Sequence, residues 1–102
     1  MSSLDLPVGQ EIEIEFVRES KPLQKGILPR AVDYNQAGFE FIEVAVPPAL
    51  GFQEPFRLEV TRKWVNLSTV AEIRYLAEGR LRAEFERLRQ LHDQVRGGVE
   101  RR

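Results

Sequence analysis

The chain carries one histidine, His92, and no cysteine. Nucleophilic catalysis by a serine needs a base within hydrogen-bond reach, and His92 is the sole imidazole for that role. It lies between Leu91 and Asp93 in a segment of helical spacing, where a lone histidine reads as a surface residue. Without thiols there are no disulfides, thiolate zinc sites or iron–sulfur clusters. Glu11, Glu13 and Glu15 recur at every second residue, about 7 Å apart on one strand face. Three such carboxylates attract divalent cations weakly, and the plainer reading is a solvated acidic face. The seven glycines are scattered apart from Gly97 and Gly98, so no phosphate-cradling loop is present. No catalytic residue, metal ligand or cofactor is expected, and the chain reads as a non-enzyme.

Binding chemistry is better represented. Nucleic-acid binding combines cationic charge with groups that stack on bases. Arg57, Arg62, Lys63 and Trp64 are the best local cluster of that kind, with Arg30 and Tyr34 as neighbours on the sheet surface. Trp64, the single tryptophan, is expected to pack in the core or against a helix, with a stacking surface as the alternative. The charge distribution opposes a plain oligonucleotide binder. Residues 1–78 hold 8 Lys and Arg against 12 Asp and Glu, whereas residues 79–102 hold 7 against 4. An acidic body with a basic tail either docks the tail on itself or offers it to an acidic partner. A mixed Arg/Glu helix also reads, more plainly, as a solvated face.

The elements that would carry these residues are mostly strands. Residues 10–17, QEIEIEFV, alternate strictly and predict a half-buried strand. Residues 24–32, QKGILPRAV, predict a second, placed at an edge, bulged or broken at Pro29 because proline donates no ladder bond. Residues 33–38 predict a hairpin loop ending at Gly38. Residues 39–46, FEFIEVAV, are apolar on both faces: Phe39, Phe41 and Ala45 on one, Ile42, Val44 and Val46 on the other. A strand of that kind is covered twice, once by the interior of a barrel and once by the terminal helix or another molecule. Pro47 and Pro48 end it. The loop that follows carries Leu50 and Phe52, which either fold under the end of the barrel or face a partner, folding under being expected.

Residues 56–65, FRLEVTRKWV, predict a strand with Phe56, Leu58 and Val60 on one face. Residues 66–76 are ambiguous. Thr69, Val70, Ala71 and Glu72 fit a capping box and a helix from Val70. The alternation of Ile73 and Tyr75 favours a short turn at 67–70 and a strand over 71–76. The helical alternative would leave four strands. Residues 80–96 predict a helix with a stripe of Leu81, Phe85, Leu88, Leu91 and Val95, stopped by Gly97 and Gly98.

The spacing from Ile12 to Leu58 resembles the WYL domain of bacterial transcriptional regulators. Ile12, Ile14 and Phe16 stand for its leading strand, Pro29 to Val32 for a proline followed by a short apolar strand. Gly38 to Ile42 stand for a glycine before an aromatic strand, and Phe56, Arg57 and Leu58 for its aromatic-Arg-Leu element. The Trp-Tyr-Leu triplet is absent, and Glu59, Val60 and Thr61 replace Asp-Arg-Ile. The resemblance implies an Sm-like barrel that senses a ligand, often nucleic acid, with Arg57 as a contacting position. No DNA-binding winged helix precedes the barrel, so a sensor or accessory subunit is the most it implies.

With 102 residues, 42% hydrophobic and 30% charged, the composition is that of one globular domain. The expected class is mainly β (α+β): a five-stranded antiparallel SH3/Sm-like barrel, or a strongly bent sheet, over about 10–76, with one C-terminal helix over about 80–96. Residues 1–98 form the domain and 99–102 a frayed tail. No apolar run approaches the roughly 18 residues that span a bilayer, so no membrane partner is expected. The first five residues lack a leader pattern, and a cytoplasmic location is expected. The favoured function is a non-catalytic interaction or assembly module, binding a protein partner or a second copy through Ile42, Val44, Leu50, Phe52, Leu81, Phe85, Leu88 and Leu91. A ligand- or nucleic-acid-sensing barrel acting as a regulatory accessory subunit is the alternative.

Overall fold

The computed structural model describes residues 5–100, the last three by backbone alone. Residues 1–4, part of the stretch read as lacking a leader, and residues 101–102 of the expected tail lie outside it. Five strands appear in chain order: β1 (Gln10–Phe16), β2 (Gln24–Leu28), β3 (Gly38–Ala45), β4 (Glu59–Asn66) and β5 (Val70–Tyr75). They form one antiparallel sheet of order β4-β3-β2-β1-β5, followed by helix α1 (Arg80–Glu100).

β2 ends at Leu28, directly before Pro29, so the strand is broken there. A single 3-10 turn, Leu67–Thr69, precedes β5, which settles residues 66–76 as turn and strand. This turn also decides closure. β4 pairs only with β3, and β5 only with β1. The connection between them is held by the Leu67 amide on Ala37 and the Val17 amide on the Thr69 carbonyl, at 2.8 and 3.0 Å. Single backbone bonds span the gap where a ladder would close a barrel, so the sheet is not closed and the barrel expectation is corrected.

Both faces of the sheet carry a core. On one, Ile12, Ile14, Phe16, Leu28, Phe39, Phe41 and Val65 pack together, edged by Val32, Leu67, Val70 and Ile73. On the other, Ile27, Ile42 and Val44 pack against Leu81 and Phe85 of α1, edged by Leu6, Val46, Leu58 and Leu76. The double cover expected for β3 is therefore supplied by the chain's own helix. Ile42, Val44, Leu81 and Phe85, named above as partner-interface residues, are buried within the chain instead. The cause is register. Ile42 sits opposite Ile27 on β2, which makes an apolar floor that the first two turns of α1 cover.

Two boundaries also move. β4 begins at Glu59 rather than residue 56, and Phe56 and Leu58 belong to the preceding loop. α1 runs past Gly97 and Gly98 to Glu100, since a mid-helix glycine costs only about 1 kcal/mol and no proline follows to enforce a stop. Gly79 supplies the break instead, with φ of 85° directly before the helix.

Twenty-one residues at 1.5 Å each make α1 about 31 Å long. Only its first half lies on the sheet. The molecule is accordingly elongated, 56 × 30 × 19 Å, with a radius of gyration of 15.6 Å against about 13 Å for a compact chain of this size. No helix among the described residues is long and apolar enough to cross a membrane.

Candidate docking site

Glycine at the start of α1 has no side chain to cap the first amides. Glu11, the second residue of β1, reaches across and does so. Its carboxylate accepts hydrogen bonds from the Gly79 amide, at 2.5 Å, and from the Leu81 amide. Glu11 is buried, and its charge sits at the positive end of the helix dipole. Glu13 and Glu15 take different partners: both accept from the Arg74 guanidinium on the neighbouring β5, at 2.9 and 3.1 Å. The expected solvated row of acids is thus a helix cap followed by an ion-pair network. The hydrogen bond that Arg74 donates to Glu15, the nearby charge of Glu72 and the contact with Glu13 hold the Arg74 pKa above its ordinary value. Among the described residues, no group of three or more acids or histidines is arranged to hold a metal.

The cap fixes where α1 starts and hence which side chains leave the sheet. Leu88, Leu91 and Val95 continue the stripe of Leu81 and Phe85, but the sheet ends beneath them. They remain 39, 50 and 44% exposed. One wall rises beside them from loop 46–58. The loop is folded by bonds from the Leu50 amide to the Pro47 carbonyl and from the Gly51 amide to the Glu54 carboxylate. His92 pins this loop to the helix. Its Nε2–H donates to the Glu54 carbonyl at 2.7 Å, and its ring lies 5.3 Å from that of Phe52 and 5.6 Å from that of Phe56. The imidazole is only 6% exposed, so the surface placement expected for it is corrected: aromatic contacts and one carbonyl bond bury it.

Between loop and helix runs an open apolar slot of about 330 Å³, lined by Val46, Leu50, Phe56, Leu88, Leu91 and Val95, with Phe52 and His92 completing the wall. Leu50 folds partly under while Phe52 stays largely exposed. The structure thus brings Leu50, Phe52, Leu88 and Leu91 together and removes the other four proposed interface residues into the core. Val46, Phe56, His92 and Val95 complete the slot; the alternation of residues 39–46 puts Val46 on a face needing a second cover and the helical stripe includes Val95, but the spacing joins neither Phe56 nor His92 to them. The one available signal was the density of Leu, Phe and Pro in a loop facing a helix stripe.

The cationic cluster is dispersed. Arg57 lies exposed in the loop. Arg62 and Trp64 share one face of β4 and Lys63 the other, as the strand period dictates. Arg62 donates to Glu40, and Lys63 to Glu43 at 2.8 Å. Trp64 is 57% exposed, which corrects the expectation of a core or helix-packed ring. Its face of β4 lies beyond the reach of α1. A β-carbon at Gly38 would meet the indole Nε1 at 2.5 Å, so the ring lies across that glycine. There it borders a hollow of about 220 Å³ with Arg30, Asp33 and Gln36. On the loop 33–38 side, Tyr34 and Tyr75 interact, and the hydrogen bond between their side chains, with partial desolvation, raises the Tyr75 pKa.

No family model, curated protein or solved structure matches the chain. The resemblance seen over residues 12–58 rests on those residues alone.

Proposed function

We propose that the protein is a non-catalytic interaction module that receives an amphipathic helical segment of a protein partner in the slot between α1 and loop 46–58. The observation that carries this reading is the exposed line of Leu88, Leu91 and Val95 beside a preformed apolar wall. A helix laid in an apolar groove is anchored by side chains at such i, i+3, i+7 positions. The walls are set before binding: His92 fixes the loop and Glu11 fixes the helix start, which lowers the ordering cost on association. The role of His92 in holding the loop, with its Nε2–H on a backbone carbonyl, supports a non-catalytic reading.

The test is a titration with a synthetic amphipathic peptide of about five helical turns, leucines at the i, i+3, i+7 spacing and glutamine elsewhere. Methyl signals of Val46, Leu50, Leu88, Leu91 and Val95 shift together, and Leu91→Glu abolishes the shifts with the fold intact. Peptide-independent spectra would refute the reading.

A ligand- or nucleic-acid-sensing surface is the second reading, supported by the exposed Trp64 beside Arg30 and Arg62. In that case labelled single-stranded oligonucleotides bind with an affinity that falls as salt rises, and Trp64→Ala abolishes binding. Against it, Glu40 and Glu43 already occupy two of the four cations.

A further inference from the structure

We infer that the segment received by the slot is acidic: an amphipathic helix whose apolar residues are bordered by carboxylates on one flank. This rests on the docking reading above and adds the charge of the partner.

The slot has two flanks of different chemistry. On the loop side the border is aromatic, with Phe52 and Phe56 against His92. At 100° per residue, Arg80 and Arg87 project from the opposite side of the Leu88, Leu91 and Val95 line. A second hollow, of about 470 Å³, lies on that flank and is lined by Glu13, Lys25, Arg80, Glu84 and Arg87. Leu88 lines both hollows, so the apolar slot and the charged one lie on either side of one side chain. The carboxylates of the second hollow are already engaged: Glu84 accepts from Lys25 at 2.8 Å, and Glu13 from Arg74. Arg80 and Arg87 are exposed and make no ion pair among the described residues. The surplus on this flank is therefore two guanidiniums seven residues apart, about 10 Å along the axis. Two carboxylates at the same interval on a partner helix match that spacing.

The same charge argues against a second copy as the occupant. α1 holds five arginines against four acidic residues, so laying one α1 along another brings a surface of net positive charge, with no surplus of carboxylates, beside Arg87. Like charges in such a contact disfavour the pairing.

The experiment compares two synthetic peptides with the same leucine spacing, one flanked by glutamates and one by lysines, by fluorescence anisotropy against the full chain at several salt concentrations. The glutamate peptide is expected to bind about tenfold more tightly, with an advantage that shrinks as salt rises. Arg80→Glu with Arg87→Glu is expected to reverse the order, while circular dichroism shows the helix intact. Equal binding of both peptides, unchanged in that variant, overturns the acidic preference and leaves the docking reading standing. Failure of both peptides, and of the glutamine peptide, overturns both. Sedimentation of the unliganded chain as a dimer that Leu91→Glu dissociates and neither peptide disrupts would make a second copy the occupant, and the inference would be wrong.

Discussion

Glu11 shows how far one side chain can depart from its pattern. In QEIEIEF it is one of three equivalent acids, yet it alone is buried, because β1 passes under the start of α1. The strand period was legible; the identity of what would lie over the acidic face was not, since that depends on a contact 70 residues away in sequence. Its removal leaves two helix amides without an acceptor. Glu11→Ala should destabilise the fold by about 2–3 kcal/mol in a denaturant titration, whereas Glu15→Ala, at an exposed pair, should cost under about 1 kcal/mol. The tyrosine pair offers a second check. Contact with Tyr34 raises the Tyr75 pKa, so the folded state resists losing that proton more than the unfolded chain does. The associated stability is complete below the unfolded phenol pKa and is lost as pH rises through the folded one. Tyr34→Phe should move the Tyr75 phenolate absorbance to lower pH; an unmoved titration would mean the two rings act independently.

At the scale of elements, periodicity carried the reading wherever one face had one kind of cover. It located β1, β2, β3 and α1, and the two-sided β3 announced that something must lie over Ile42 and Val44. It could not divide the α1 stripe, because Leu81 and Leu88 are the same residue at the same helical angle. What separates them is the end of the sheet, fixed by strand length and by the start of the helix. Trp64 failed for a related reason: its alternation with Val65 was legible, but not that α1 stops short of β4. The division predicts unequal costs along one stripe. Phe85→Ala should cost about 3–5 kcal/mol by opening a cavity over Ile27 and Val44. Leu91→Gln should change thermal stability by less than about 1 kcal/mol. Equal effects in a melting experiment would show that the distal half of α1 is packed as tightly as the proximal half.

The whole molecule is a two-sided sheet with a helix that outruns it, and the slot exists because of that overhang. Half of α1 completes the fold, and the other half, walled by a loop that His92 holds, is presented to solvent. The absence of cysteine permits a direct test of that arrangement: the rate at which a maleimide modifies the thiol of Leu91→Cys, in dilute protein and with saturating amphipathic peptide. A rate within a few-fold of the unfolded chain is expected in dilute protein, with strong protection when the peptide is bound. Slow labelling in dilute protein would mean that the chain covers this face itself. Unprotected labelling in the presence of bound peptide would place docking elsewhere, and either result would contradict the assignment of this face as the docking surface.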